Sequence, residues 1–504
     1  MKLFTIGDSI SQGFMSGAAA RTDQSYSTLL SKILNVDDYC FPDWQKGGQP
    51  VNIETAFRRL EKRLGADIAT PFEWPIAFNI INHYLDEVED YYERGDGWPD
   101  IFSGNCYHNV AVRGFDVSSP WMINPRLCRN YINASPGVGD GRWGLTDESL
   151  LRTAARVLET GSEGKVANPT QLDWLNYHHK KDGVENLILW LGANNALGTV
   201  TNLRINQTSI DGTAFPNGPR EVDFDTRRKK NWNLWHPEEF RVEYQYLIDQ
   251  VLEIMENGPH NYKIFVGTVP LVTIAPLIKG VGGPQDRTDI AVTEWYVATD
   301  TPAPMGKSQL ADPEERIVSY AKYYPYFAFA DNFDMSLPHL NLTQALHIDN
   351  TIRQFNRIIQ EIVAVANEKI GAQRIYLVDI SAALSQMALK RNNYAPVYKF
   401  PAFFDFAYPK VDTRYYNTTR SGEIKAGGLF SLDGVHPSAV GQGLIAYEFL
   451  KVMKKAGSFT GDVEKALDWS AIFKADALLS NPIKLMSELY DNIHLKKWLF
   501  KMIS

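Results

Sequence analysis

Five short runs of apolar residues are spaced along the chain, and turn-forming residues bound each of them. Such runs are typical of strands that are buried on both faces of a parallel sheet. The sequence therefore predicts five strands, at Leu3–Ile6, Asn109–Val112, Asn186–Leu191, Lys263–Thr268 and Arg374–Ile380.

Longer amphipathic stretches alternate with these runs. In the first, Tyr26, Leu29, Leu30 and Ile33 recur at helical spacing and share one face. Alternation of strand and helix predicts an α/β fold with helices on both faces of a parallel sheet. The predicted helices are Gln24–Leu34, Thr146–Glu159, Pro169–Lys181, Pro237–Asn257, Asp349–Ile370 and Ala439–Lys455.

Several segments do not follow this alternation and are rich in Trp, Tyr, Phe, Pro, Gly and Asn. We interpret them as insertions that leave about 200 residues for the core, an ordinary domain size. The expected organisation is one domain over 1–456 followed by a helical C-terminal extension over 457–504. The predicted insertions are about 36–105, 115–145, 196–236, 271–345 and 392–430.

Composition narrows the possible functions. The 504 residues carry a net charge of −8, which argues against an extended nucleic-acid surface, so no nucleic-acid partner is expected. The three cysteines, Cys40, Cys106 and Cys128, are too few for a disulfide framework and favour buried free thiols. Because neither Cys-x-x-Cys nor His-Glu-x-x-His occurs, no metal site is expected.

The same chain has no apolar run long enough to span a membrane, and the stretch that follows Met1 is too short for a signal peptide. The expected location is therefore cytoplasmic. The last residues, Asn492–Ser504, form a basic amphipathic pattern. Packing on the chain's own core is the favoured interpretation of this helix, ahead of contact with a membrane surface or with another subunit. The sequence leaves the oligomeric state open.

Polar residues follow the predicted strands where ligands of open parallel sheets bind, outside the carboxyl ends of the strands. Ser9 follows the first strand, Gly114 the second and Asn194 the third. Asp433 and His436 stand three residues apart at the start of the last predicted helix. The pattern therefore predicts that these five residues meet at one edge of the sheet.

These residue types suit acyl transfer. Serine is a weak nucleophile unless a base takes its proton, and His436 is the candidate base, with Asp433 holding its ring. The tetrahedral intermediate carries an oxyanion that needs preorganised donors. The backbone N–H groups of Ser9 and Gly114 and the side chain of Asn194 are the candidate donors.

With its Gly-Asp-Ser block, a glycine, Gly-Ala-Asn-Asn and Asp-Gly-Val-His in this order, the chain resembles the SGNH (GDSL-type) hydrolase superfamily. The resemblance implies a flavodoxin-like three-layer sandwich with about five parallel strands. It also implies a serine esterase that hydrolyses a lipid, an acylated sugar or an acetyl ester through an acyl-enzyme, without a cofactor. One position departs, since Asn195 stands where the family has aspartate.

Two other functions stay open from the sequence: an acyltransferase with the same triad, and a catalytically silent binding or scaffold protein. Three further expectations concern individual side chains. The doublet His178-His179 is expected at a solvated helix end, and the basic run that begins at Arg227 on a solvated face. The insertions carry many tryptophans, which are expected to line the substrate pocket: Trp44, Trp74, Trp98, Trp121, Trp143, Trp232, Trp235 and Trp295.

Overall fold

The structure is a computed structural model in which part of the chain is described. The described residues are 2–66, 68, 72–97, 106–135, 145–159, 166–209, 224–258, 261–280, 287–295, 314–325, 338–393, 395–407, 410–411, 416–418 and 424–485.

Strands and helices alternate through the part of the chain that forms the core. The strands are β1 (Phe4–Gly7), β2 (Phe14–Met15), β3 (Ala18–Ala19), β4 (Gln49–Pro50), β5 (Asn186–Trp190), β6 (Lys263–Gly267), β7 (Arg287–Glu294), β8 (Glu314–Ala321), β9 (Tyr323–Pro325), β10 (His339–Asn341), β11 (Ile375–Val378), β12 (Tyr416–Thr418) and β13 (Ile424–Gly427). The helices are α1 (Ser9–Gln12), α2 (Tyr26–Ile33), α3 (Ile53–Leu64), α4 (Glu73–Glu93), α5 (Ser119–Met122), α6 (Pro125–Ala134), α7 (Ser149–Leu158), α8 (Gln171–Asp182), α9 (Asn194–Asn202), α10 (Phe224–Lys230), α11 (Pro237–Glu256), α12 (Leu342–Ile370), α13 (Ile380–Met387), α14 (Ala439–Lys455), α15 (Val463–Ala466), α16 (Trp469–Ala475) and α17 (Ala477–Ser480).

The central sheet contains four parallel strands in the order β1-β5-β6-β11. Its residues are buried almost throughout, which explains why each strand is a short continuous apolar run. Because neighbouring strands are parallel, their carboxyl ends lie at the same edge of the sheet. The α/β fold and four of the five predicted strands are therefore confirmed.

The predicted strand Asn109–Val112 is not a regular strand. Its backbone runs beside β1, with one parallel bridge between Thr5 and Asn109 and a hydrogen bond from the N–H of Val112 to the carbonyl of Gly7. The ladder does not continue, because Nε2 of Gln171 donates to the carbonyls of Val110 and Gly7, at 2.5 and 3.2 Å. The segment still delivers the residues after it to the carboxyl end of β1.

Helix boundaries differ most at α12, which begins at Leu342 rather than at Asp349. A capping box causes the earlier start, because the Asn341 side chain accepts the N–H of Gln344 while the Gln344 side chain accepts the N–H of Asn341. Within the predicted insertion 36–105, α3 and α4 pack against each other. Within 271–345, β7 and β8 form an antiparallel hairpin.

Residues 457–485 of the C-terminal extension pack on α14. Asp476 accepts the N–H of Val440 at 3.1 Å, and the ring of Trp469 lies against Gly443. The amphipathic segment Asn492–Ser504 lies outside the described residues. Among the described helices, none is long and apolar enough to cross a membrane.

Three polar side chains are buried at positions where the sequence predicts solvation. His178 and His179 are 3% and 1% exposed, because aromatic rings surround the first and backbone groups at Met255 and Val184 bond the second. Arg227 is also buried, in an ion pair with Glu243. The prediction of solvation was therefore wrong at these three positions, whereas Arg228, Lys229 and Lys230 are exposed as predicted. The cysteine prediction is confirmed for Cys106 and Cys128, which are buried free thiols, while Cys40 is free and partly buried.

Candidate active site

Ser9, His436 and Asp433 form one continuous chain of hydrogen bonds. The Oγ of Ser9 lies 2.9 Å from Nε2 of His436, and Nδ1 of His436 lies 2.9 Å from Oδ2 of Asp433. The three residues are 5%, 9% and 2% exposed, so water competes little for these bonds. Ser9, from the start of the core, is therefore placed as a nucleophile, and His436 and Asp433, from its end, are placed as the base and the orienting acid.

The loop that contains Asp433 and His436 is fixed mainly by its own backbone. Oδ1 of Asp433 accepts the N–H groups of Val435 and His436, at 2.9 and 2.8 Å. Gly434 has a φ of 67°, and a Cβ at this position would lie 2.8 Å from the backbone nitrogen of Leu277. The spacing Asp-Gly-Val-His thus lets one carboxylate bond both the turn and the imidazole.

A tight hairpin near the N-terminus holds the same carboxylate from the other side. Strands β2 and β3 are joined by Ser16 and Gly17, both with positive φ, as in type I′ turns. The N–H of Gly17 donates to Oδ2 of Asp433 at 2.9 Å, and the N–H of Ser16 donates to Ser431 at 2.8 Å. Sequence reasoning missed this contact, although a Ser-Gly pair between apolar residues is itself a hairpin signal.

Ser9 is the first residue of α1, and Asp8 caps that helix by accepting the N–H of Ile10 at 3.1 Å. As the first helical residue, Ser9 has no helical carbonyl to which its own N–H could donate. This N–H has no acceptor within the described part of the chain. The donor expected to face the oxyanion is therefore available.

Asn194 connects the other two predicted donors. Its Nδ2 donates to the carbonyl of Phe115 at 2.9 Å and lies 3.5 Å from Oδ2 of Asp8. Phe115 follows Gly114 and Asp8 precedes Ser9, so all three candidate donors lie in one neighbourhood. The N–H of Gly114 has no acceptor among the described residues. One N–H of Asn194 is occupied by Phe115, and the second has only the long contact with Asp8.

The unusual Asn195 takes part in the same neighbourhood. Its Oδ1 accepts the N–H of Val117 at 3.2 Å, which ties the loop after Gly114 to α9. An aspartate could accept this N–H equally well. The amide nitrogen of Asn195 is buried without a partner in the described structure, so asparagine keeps the acceptor that an aspartate would offer here and adds an unused donor.

Two buried carboxylates of the site differ in pKa. Burial raises the pKa of Asp8 to about 7, against the smaller opposing effects of the Ile10 N–H and of His436. Burial also acts to raise the pKa of Asp433, but the charge of His436 and the hydrogen bonds from His436 and Val435 outweigh it and lower the pKa below its ordinary value. Asp433 is thus the ionised partner, and Asp8 carries a proton over much of the range below neutrality.

Within the described residues, the ring of Phe14 contacts the ring of His436, with the two centroids 4.6 Å apart. No described tryptophan has a ring contact with His436, and the lining of the substrate pocket by tryptophans stays a prediction. Trp44 donates to Thr22 and Trp235 to Glu243. Trp98 and Trp143 lie outside the described residues.

No group of three or more His, Cys, Asp or Glu residues that could hold a metal ion occurs in the described part of the chain. Comparison of the chain with protein-family models, with curated proteins and with solved structures gives no match.

Proposed function

We propose that this protein is a serine esterase of the SGNH type, which hydrolyses a carboxylic ester through an acyl-enzyme intermediate. The observation that carries the proposal is the unbroken chain from Ser9 Oγ through His436 to Asp433, with 2.9 Å at each step. A nucleophile, a base and an orienting acid within hydrogen-bonding reach are the parts that activate a serine.

In the proposed first step, Nε2 of His436 takes the proton of Ser9 as Oγ attacks the ester carbonyl. Asp433 stabilises the resulting imidazolium, and its lowered pKa keeps it ionised for this role. The oxyanion forms near the N–H groups of Ser9 and Gly114 and the Asn194 amide. His436 then protonates the leaving alcohol and, in the second step, activates the water that releases the acid.

For the fold, we infer the flavodoxin-like three-layer sandwich. Side chains alternate between the faces of a strand, so Leu187 and Trp190 of β5 point to opposite faces. Phe4 pairs in register with Leu187, and its ring contacts His178 of α8. Trp190 instead contacts Tyr26 of α2 and Phe449 of α14. Helices on both faces of the sheet support this arrangement.

A fluorophosphonate probe tests the nucleophile independently of the natural substrate. We expect the probe to label the protein at Ser9, and labelling to be lost in Ser9→Ala and strongly slowed in His436→Ala. Ser480→Ala, at an exposed position, is the matched control and is expected to label normally. Labelling that is unchanged in His436→Ala would contradict the mechanism. Labelling that is absent from the folded wild type would favour a silent binding protein.

The fate of the acyl group distinguishes hydrolysis from transfer. With a nitrophenyl ester and an added alcohol, we expect free acid as the main product. Transfer product in excess of free acid would instead identify an acyltransferase. A chain-length series of the same esters then separates an acetylesterase from a lipase-like enzyme.

A further inference from the structure

Arg113 stands immediately before Gly114, at the edge of the proposed catalytic site. Its guanidinium lies over the ring of Phe14, 5.6 Å from the ring centroid. The ring of Phe14 also contacts the ring of His436, with the two centroids 4.6 Å apart. One aromatic ring therefore separates the guanidinium from the catalytic imidazole. The Arg113 N–H also donates to the side chain of Gln12, which fixes this backbone beside α1.

The charge of Arg113 has no counter-ion among the described residues. Its side chain donates one hydrogen bond, from Nη2 to the hydroxyl of Ser149, and its Nε is buried without an acceptor. No carboxylate contributes to its pKa, which burial lowers to about 10, so the group stays cationic at neutral pH.

The neighbouring arginines are different. Arg227 pairs with Asp116 and Glu243, and Arg228 pairs with Glu148. The carboxylates on either side of the Gly114 loop are thus used elsewhere, and Arg113 is left as a partly buried cation. A guanidinium offers five N–H donors in a planar fork that matches a carboxylate or a phosphate.

We propose that Arg113 is a specificity-determining residue, which binds an anionic group of the substrate, a carboxylate or a phosphate, close to the scissile ester. The inference rests on the proposed esterase function and names its substrate class: an ester that carries a negative charge on its acyl or alcohol part. A bidentate hydrogen bond to this anion would supply the counter-ion that the protein lacks.

Matched ester pairs test the inference. On the acyl side the pair is 4-nitrophenyl hemisuccinate and 4-nitrophenyl butyrate. On the alcohol side, 4-acetoxybenzoate and 4-acetoxyphenyl phosphate are each compared with phenyl acetate, which separates carboxylate from phosphate. The measured quantity is the ratio of kcat/KM for charged over neutral ester, in the wild type relative to Arg113→Met, because this double ratio removes the intrinsic reactivity of each ester.

We expect the double ratio to be about 10-fold to 100-fold for at least one pair, the range of a hydrogen-bonded charge. Arg113→Lys, which keeps the charge but loses the fork, is expected to give an intermediate value. Arg357→Met, an exposed arginine that pairs with Glu361, is the control and should give a double ratio near one. Double ratios near one for all three charged esters in Arg113→Met would overturn the inference, while turnover of neutral esters would leave the esterase proposal intact.

A binding arm does not depend on turnover. In the Ser9→Ala background, calorimetry compares the charged and neutral ester of each pair with and without Arg113→Met. We expect tighter binding of a charged ester that is lost on removal of the guanidinium. Selective binding without any turnover in the wild type would contradict the esterase proposal alone, and equal binding of charged and neutral esters would contradict the role of Arg113.

Discussion

Asp8→Asn tests a buried carboxyl that lies beside the nucleophile and forms no ion pair within the described part of the chain. Its pKa is raised from 3.8 to about 7, chiefly by burial. In the unfolded chain the group titrates near its ordinary value. Between these two values the folded protein keeps a proton that the unfolded chain has lost, so this group lowers the stability as pH rises.

The size of the effect follows from the shift. Each pKa unit corresponds to about 1.4 kcal/mol. Burial of Asp8 therefore lowers the free energy of unfolding by about 4 kcal/mol above pH 7, where the group must ionise, and by almost nothing at or below its ordinary pKa, where it is protonated in both states. Asparagine does not titrate, and its oxygen can still accept the N–H of Ile10. Its amide would meet the amide of Asn194 in place of Oδ2, which subtracts a constant of about 1–3 kcal/mol at every pH.

Urea unfolding of wild type and Asp8→Asn between pH 4 and pH 8 measures this effect. We expect the stability difference between the two proteins to shift in favour of the variant by about 3–4 kcal/mol over this range, with most of the shift below pH 7. Asp23→Asn, at an exposed position, is the control and should change by only tenths of a kcal/mol. A difference that stays constant within about 1 kcal/mol would refute the assignment of a proton to Asp8.

Two further substitutions test the proposed catalytic geometry. Asp433→Asn should lower kcat for ester hydrolysis by about 10³–10⁴-fold, because the amide nitrogen would face the N–H of Gly17 and leave His436 in the wrong tautomer. A loss of kcat under about tenfold would contradict this role of Asp433. Gly114→Ala should destabilise the protein by about 1–2 kcal/mol and lower kcat about 100-fold, because φ is 75° and the methyl group would lie 2.6 Å from a side-chain carbon of Leu150. Gly371→Ala, with φ of 70° and open space around it, should show the loss of thermal stability with unchanged kcat, and equal kcat losses in both variants would remove the oxyanion role from Gly114.

The fold and the site differ in how much of them a sequence can reveal. Buried parallel strands are continuous apolar runs, and the topology brings their carboxyl ends to one edge, so the meeting of Ser9, Asn194 and the Asp433–His436 loop could be predicted. The irregular pairing at Asn109 could not be predicted, because the side chain that bonds the Val110 carbonyl is that of Gln171, which lies 61 residues further along the chain. The prediction of a solvated His178 was wrong for a related reason, because the polar sequence of this helix end does not indicate the aromatic rings that cover it.

Side chains of one type acquire their roles in this site from the donors around them. Asp433 accepts N–H groups from Gly17, Val435 and His436 in addition to the imidazole, so its charge is satisfied despite burial. Asp8 accepts one backbone N–H at 3.1 Å and has only a 3.5 Å contact with Asn194, so burial dominates and favours its neutral form. One of these donors, Gly17, lies 416 residues from Asp433 along the chain. A neutral Asp8 beside Ser9 would place no negative charge near the developing oxyanion. A protonated Asp8 together with an ionised Asp433 therefore suits the proposed chemistry.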